Sequence, residues 1–501
     1  MARARPHPPS LPHQVAGTDF LRRNPRAALF DEQGLGKTKQ LIDAVTAEIE
    51  VGSIRGALII CPNGLKGNWA EEVERFSSSF FAVFGSGRNA RRVAFRSLRA
   101  AFYIINYEAV AAELPSLRAL LRFKPMALVL DESHRIKTPD SKVTQAVLQL
   151  RTDAQRRYLL TGTPVANKPE DLWSQVFFLD DGAALGTTFE EFRTRYCGVQ
   201  GGYQSVDDLR DRVARLALRR MKSEAVQLPP KEFVRVAVDL APKQRLLYDQ
   251  MRNELALWVR SLSGEEVLQE ADAILARMVR LAQLASNPGL LDSAYRETPG
   301  KFLALDSALA MLSKEGGKKA IVWTSFVENV RILKARYSEL SPVTLYGDMD
   351  NAERSRAVRA FRRDPQVRLL VANPAAAREG LTLTEANLAI YLDRTFNLVD
   401  YLQSQDRIHR ISQTRACEIV LLLATATIDE FVDFSLEQKH RLAKFTQKDT
   451  ASITADDLAL RKPDILRALL SPSDIAQRQP PETDQARAAR TGRRRAGDAA
   501  K

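Results

Sequence analysis

The chain has 501 residues, a formal net charge of +13, 45% hydrophobic and 27% charged residues, and three widely separated cysteines. That length exceeds what one core serves and suits two or three domains. No apolar run reaches membrane-spanning length, the basic start MARARPHPPS lacks the apolar stretch of a signal peptide, and Cys61, Cys197 and Cys417 suggest neither a disulfide framework nor a zinc site; the expectation is a zinc-free cytoplasmic protein without a membrane partner, whose positive charge points to nucleic acid.

Residues 1–12 hold four prolines and no acid and read as a disordered basic arm. His13 and Gln14 open a helical pattern. A glutamine here, just ahead of a phosphate loop, suits adenine, because its amide both donates to N7 and accepts from the N6 amine. The loop is FDEQGLGKTKQ (30–40), set between the apolar run AALF and a helical pattern at Leu41, Ile42, Val45 and Ile49. Unpaired amides at a helix start favour a polyphosphate, and Gly34 and Gly36 let the backbone approach it. Lys37 is placed to reach the β and γ phosphates and Thr38 to put its hydroxyl on Mg²⁺. The general pattern has a glycine where this chain has Asp31.

ALIICP (57–62), FYIIN (102–106), ALVLDE (127–132) and RYLLTGTP (157–164) are short apolar runs ending in polar or turn residues. With helices between them they predict a doubly wound α/β unit, whose chemistry collects at the carboxyl ends of parallel strands. Asp131 and Glu132 reach that edge together; one acid is suited to hold Mg²⁺ through water and the other to orient and deprotonate a water. His134 reads either as a helix cap or as a direct participant.

From DLWSQVFFLDD to LRDRVARLALRRMKSEAVQLPPK the pattern is helical, and Pro229 and Pro230 close a first unit at 13–230. The segment 231–300 holds the strand FVRVAVDL and two helical stripes, Leu247, Met251, Leu255, Trp258 and Ile274, Met278, Leu281, Ala285, read as core. A second unit, 301–445, repeats the strand pattern in AIVWTSF, VTLYG, RLLVANP, LAIYLD and EIVLLLA without a phosphate loop. Two such units suggest a nucleotide clamped between them. In QSQDRIHRISQ, Arg407 and Arg410 stand three apart and would share a helix face. Residues 446–501 end in an arginine-rich tail, expected to be disordered and to add nonspecific DNA affinity.

Taken together these motifs resemble the Swi/Snf-type ATPases of helicase superfamily II over roughly residues 11–424. DEQGLGKT resembles the family's DExGLGKT, which accounts for Asp31. CPNGLKGNWAEE, INYE, LDESH, LLTGTPVANKPEDLW, LRRMK with LPPK, IVWTSF, EGLTLTEA and QSQDRIHRISQ follow in the family's order, and the chain is similar to compact bacterial and phage members. The resemblance implies two RecA-like lobes closing on Mg-ATP. Gln14, Gly34, Gly36, Lys37, Thr38 and Gln403 would hold the nucleotide, with Thr38 and Asp131 on the metal, Glu132 as base, and Arg407 and Arg410 as arginine fingers. Thr161, Gly162 and Thr163 would couple γ-phosphate loss to DNA contacts around Lys66, Tyr107, Lys137, Ser325 and Thr382. Three departures stand out: Phe396, Asn397, Leu398 for Trp-Asn-Pro, Ser412 for a glycine, and Ala377, Arg378, Glu379 ahead of Gly380 where Gly-Gly is common. The implied activity is ATP-dependent translocation on double-stranded DNA. The alternatives are a strand-separating helicase and a motor subunit that works with protein partners in a restriction, defence or remodelling complex.

Overall fold

The computed structural model describes residues 9–446 apart from short segments at 86–90, 92–93, 96, 98, 166–167, 198–202, 263–265, 267–268, 315–317 and 378–380. Residues 1–8 of the arm expected at 1–12, the departure at 378–380 and the arginine-rich tail lie outside the described residues; the arm reading is corrected at its end, where Ser10 donates to Asp43 at 3.1 Å and Pro12 already opens the helix Pro12–Arg23. Each apolar run becomes a strand. In the first sheet these are β1 (Arg26–Leu29), β2 (Ala57–Cys61), β3 (Phe81–Val83), β4 (Phe102–Asn106), β5 (Ala127–Asp131), β6 (Arg156–Leu160) and β7 (Ala217–Leu218), ordered β3-β4-β2-β5-β6-β1-β7 with parallel neighbours throughout. The second sheet contains β8 (Lys231–Val238), β9 (Ala320–Trp323), β10 (Val343–Leu345), β11 (Leu369–Ala372), β12 (Leu388–Tyr391) and β13 (Cys417–Ala424), ordered β10-β11-β9-β12-β13-β8 and again parallel.

Successive strand residues point to opposite faces, so a run with no polar break must bury both. Ala57, Ile59 and Cys61 pack with Leu41, Val45 and Trp69, whereas Leu58 and Ile60 pack with Leu117, Leu121 and Leu159. In the second sheet Ala320 and Val322 face Leu305 and Leu333, and Ile321 and Trp323 face Phe361 and Leu383. The doubly wound expectation therefore holds for both units. Among the described residues, no helix is long and apolar enough to cross a membrane.

Two strands were not foreseen, since β3 and β7 are too short to show a period. The helical reading of LRDRVARLALRRMK is corrected by β7: the helix Val206–Ala214 ends, the strand follows, and Lys222–Ala225 forms only a short helix. The reason lies in backbone satisfaction at the free edge of β1. Ala28 and Phe30 donate N–H bonds to Leu216 and Leu218 carbonyls at 2.8 Å, and Glu32 donates to Arg220 at 2.9 Å. The strand read within the linking segment, β8, pairs with β13 along its whole length as the edge of the second sheet.

Helices Pro242–Ser261 and Ala271–Ser286 carry the two stripes. Ile274, Met278, Leu281 and Ala285 are buried in a core that runs from first-sheet residues to Leu398, Phe431 and Leu436, so these helices join the two units through continuous packing. On the outer faces Leu257 is 68% exposed, against 1% for Leu281. Leu281→Ala should cost about 2–5 kcal/mol in urea unfolding, and Leu257→Ala under about 0.5 kcal/mol. Equal losses would refute this assignment of faces.

Candidate functional site

The loop after β1 turns on Gly34 and Gly36, whose φ angles of +89° and +77° are open to glycine and costly for other residues. Gly36 also leaves room for a neighbour: a Cβ there would stand 2.4 Å from Nε2 of Gln14. Gln14 is buried, accepts from the Leu11 N–H at 3.0 Å and reaches the Leu35 carbonyl at 3.5 Å, beside His13, which bonds the same carbonyl at 3.0 Å. The helix Lys37–Glu50 starts at the loop, with Lys37 and Thr38 half-buried in its first turn. The Lys37 ammonium donates to the carbonyls of Asp31 at 2.7 Å and Glu32 at 3.3 Å. Burial lowers its pKa, while Glu132, Asp31 and Asp131 oppose that shift, so the acid pair lies within electrostatic reach of the loop lysine.

The adjacent acids diverge. Asp131 accepts from Trp69 Nε1 at 2.8 Å and from the Glu132 N–H at 3.0 Å. Glu132 sits in the left-handed region at φ +51°, a conformation costing of order 1–3 kcal/mol that turns its carboxylate the other way. There it accepts from Thr161 Oγ1 at 3.4 Å and lies 3.4 Å from His134 Nδ1. Burial, then the charge of Glu132, raises the Asp131 pKa; burial also raises that of Glu132, against Lys37 and Arg407. His134 reaches Thr161 Oγ1 at 3.4 Å as well, so it lies beside both groups. Thr161 further accepts from the Thr163 N–H at 3.1 Å, and Gly162 lies against the loop, where a Cβ would meet Gln33 Cγ at 2.7 Å.

The second sheet completes the constellation. Gln403, on the helix Leu398–Gln405, donates from Nε2 to Glu132 Oε1 at 3.2 Å across the gap between the units. Arg407 and Arg410 do not lie on a helix, contrary to the sequence reading: the helix stops at Gln405 and both arginines stand in the turns that follow. There Asp406 closes the helix while its carboxylate takes the Lys222 ammonium of the first unit at 2.6 Å. Arg407 is 2% exposed, donates to the Leu381 carbonyl at 3.3 Å and leaves its buried Nε unpartnered. Burial, then the charge of Arg410, lowers its pKa. Arg410 bonds the Asp406 carbonyl at 2.9 Å and Thr382 Oγ1 at 2.8 Å, and its stem lies over the loop, where a Cβ on Gly34 would stand 3.7 Å from Arg410 Cγ.

The residues expected along DNA fare unevenly. Tyr107 is 1% exposed, and its hydroxyl donates to the Asp131 carbonyl at 2.8 Å, so it braces the acid pair. Lys66 turns its ammonium inward to the Phe84 carbonyl at 2.9 Å and Asn106 Oδ1 at 3.4 Å. Thr382 serves Arg410. Ser325 donates its N–H to Asp393 at 2.6 Å and stays half-buried past the end of β9, while Lys137 is half-buried beyond β5.

Sequence reasoning gave no role to Arg219 and Arg220. Arg219 donates to the carbonyls of Phe30 at 2.5 Å and Gly162 at 3.1 Å, tying the loop strand to the TGT turn. Arg220 clasps Asp31 through Nε at 2.9 Å and through Nη2, donates to Gln40 Oε1 at 2.7 Å and reaches the His13 carbonyl. The signal was present: a carboxylate in a loop that must be buried calls for a fixed cation, and LRRMK was the unassigned cationic motif. Arg220→Ala strands a fully buried carboxylate and should cost about 3–5 kcal/mol in unfolding experiments, with Asp31→Asn recovering much of that loss in the double variant. A loss under about 1 kcal/mol would mean the pair does not hold the loop.

Residues 13–290 match the SNF2-related domain and residues 300–412 the helicase conserved C-terminal domain. The chain is 29% identical over 480 residues to the Chromodomain-helicase-DNA-binding protein 1-like of Danio rerio, covering 90% of this chain and 46% of that protein. It is 26% identical over 460 residues to the DNA annealing helicase and endonuclease ZRANB3 of Homo sapiens, covering 87% of this chain and 40% of that one. The chain thus spans less than half the length of these curated relatives. A solved Sulfolobus solfataricus SWI2/SNF2 ATPase core in complex with dsDNA is 27% identical, with 94% of this chain and 99% of that chain covered and a TM-score of 0.43. The first domain match takes in more than half of the residues and the second follows it onto the other sheet: the chain belongs to the SNF2-related family of helicase-type ATPases.

Proposed function

We propose that this chain is an ATP-dependent translocase on double-stranded DNA, with Mg-ATP bound between the two units. The reading rests on one convergence: the hydrogen bond from Gln403 to Glu132 at 3.2 Å joins the unit that carries the phosphate loop to the unit that carries Arg407 and Arg410. The donor set suits Mg-ATP. Glycines with positive φ open the loop, Lys37 holds carbonyls it can exchange for phosphate oxygens, and Arg407 has a buried donor without a partner. Thr38 and Asp131 would hold Mg²⁺, which when bound neutralises phosphate charge. Glu132 accepts the proton of the attacking water, oriented by Thr161 and Gln403. Arg407 and Arg410 meet the charge that develops on the transferred group, a contribution of roughly 10³ to 10⁵ in rate in related chemistry. Gln14 reads the base. Thr161 donates to Glu132, Gly162 lies against the loop and Thr163 bonds Thr161, which suits this turn to relay the state of the γ-phosphate.

Lys37→Ala and Glu132→Gln should each abolish a DNA-stimulated ATPase, and Glu132→Gln should still bind nucleotide in a fluorescent-analogue titration. Arg407→Ala and Arg410→Ala should cut turnover at least a hundredfold with little change in that affinity. Normal turnover in Glu132→Gln would remove it as the base, and near wild-type turnover in either arginine variant would remove that arginine as a finger.

A motor that tracks phosphates leaves base pairs intact. The net charge of +13 favours such contacts, and Lys137, Ser325 and Thr382, in the segments that follow β5, β9 and β11, are proposed to make them. The protein should displace a third strand from a triplex with ATP while leaving a plain forked duplex paired. Fork unwinding without triplex displacement would replace the translocase by a strand-separating helicase, and failure in both with an intact ATPase would favour a motor that needs protein partners.

A further inference from the structure

Behind the loop and the TGT turn lies a cavity of about 140 Å³ between the two units, walled by the helix Ile428–Thr446. None of Lys37, Thr38, Asp131, Glu132, Arg407 and Arg410 lines it, whereas Glu32 and Gln33 of the loop and Gly162 and Thr163 of the TGT turn do, so it adjoins the nucleotide site from behind. Two side chains in its wall are more than nine-tenths buried and hold a polar atom without a hydrogen-bond partner: Gln33 Nε2 and Thr163 Oγ1, on residues 8% and 6% exposed. An orphaned buried donor is costly unless a ligand satisfies it.

The charge of the wall specifies that ligand. Lys231, Lys444 and Arg219 line the cavity, and its two acids are already engaged: Asp406 takes the Lys222 ammonium at 2.6 Å, and Glu32 accepts the Lys222 N–H at 2.8 Å. The His440 ring is in the same wall. Burial first, and after it the charges of Lys444 and Lys231, push its pKa down to about 3. The volume holds roughly ten waters at about 10–15 Å³ each, enough for a hydrated tetrahedral ion and too little for a nucleic-acid strand.

We propose that this cavity is a second oxyanion site, which receives inorganic phosphate leaving the nucleotide site. The proposal rests on the ATPase reading for the source of the phosphate. Position supports it: the Thr163 N–H donates to Thr161 Oγ1, which in turn donates to Glu132, so the cavity begins two residues from the hydrolytic centre. Phosphate held there sits next to Gly162 and against the helix Ile428–Thr446, and its departure would be felt by both units.

The test uses the full chain and inorganic phosphate. Equilibrium dialysis gives affinity, and selective labelling of the five histidines lets ring resonances report the place. Phosphate should raise the His440 pKa by more than one unit. Lys444→Gln should weaken phosphate at least tenfold with less than a twofold change in affinity for a nonhydrolysable ATP analogue, and Gln33→Met, within the loop itself, should weaken phosphate about three- to fivefold. Lys37→Ala should do the reverse. Phosphate affinity lost in Lys37→Ala but kept in the Lys444 and Gln33 variants would place the ion at the loop and overturn the cavity site, as would duplex DNA displacing phosphate from His440. If the analogue fails to bind the wild-type protein while the Lys444 and Gln33 pattern holds, the ATPase reading falls and the oxyanion site stands.

Discussion

The loop that organises this protein depends on a carboxylate with no exposure to water. Asp31 replaces the first glycine of the general phosphate-loop pattern, and a buried charge persists only when a fixed partner and further hydrogen bonds replace its hydration. Arg220 and Gln40 supply them. The loop conformation, the entry helix through the His13 carbonyl and the strand at the sheet edge are thereby set by one cation. Arg219 extends the arrangement to Gly162, so the TGT turn and the strand that bears the loop hang from adjacent residues.

The same rule governs the contact between the units. Gln403 on Glu132 and Lys222 on Asp406 are largely buried polar pairs that each join the two units. In such surroundings a misplaced donor costs more than in solvent. The hydrophobic packing of helices Ala271–Ser286 and Ile428–Thr446 brings the sheets together, whereas these pairs decide how the sheets face each other.

Much of this was legible in the sequence because parallel strands buried on both faces have no choice but to be apolar throughout. The loop glycines, Lys37, Thr38 and the acid pair were legible for a related reason: each follows a strand whose end fixes its location. What the sequence hid was decided by long-range pairing. The strand β7 has two residues and no period, and is a strand only because β1 needs an edge partner. Tyr107 and Lys66 look like surface groups in their motifs, yet nearby carbonyls claim their polar ends. The spacing of Arg407 and Arg410 suggested a helix face, but Asp406 ends the helix one residue before the first arginine. Periodicity describes local repetition, and these features depend on partners as distant as 189 residues.

That separation has a consequence for synthesis. Asp31 and Gln40 leave the ribosome long before Arg220, and at about 5–20 residues per second the delay is roughly 10–40 s. During it β1 lacks β7 on one side and the acid of the loop lacks its cation. The first sheet therefore cannot settle in order from the amino terminus, and the nucleotide loop is among the last parts of its unit to take form although its residues are among the first made.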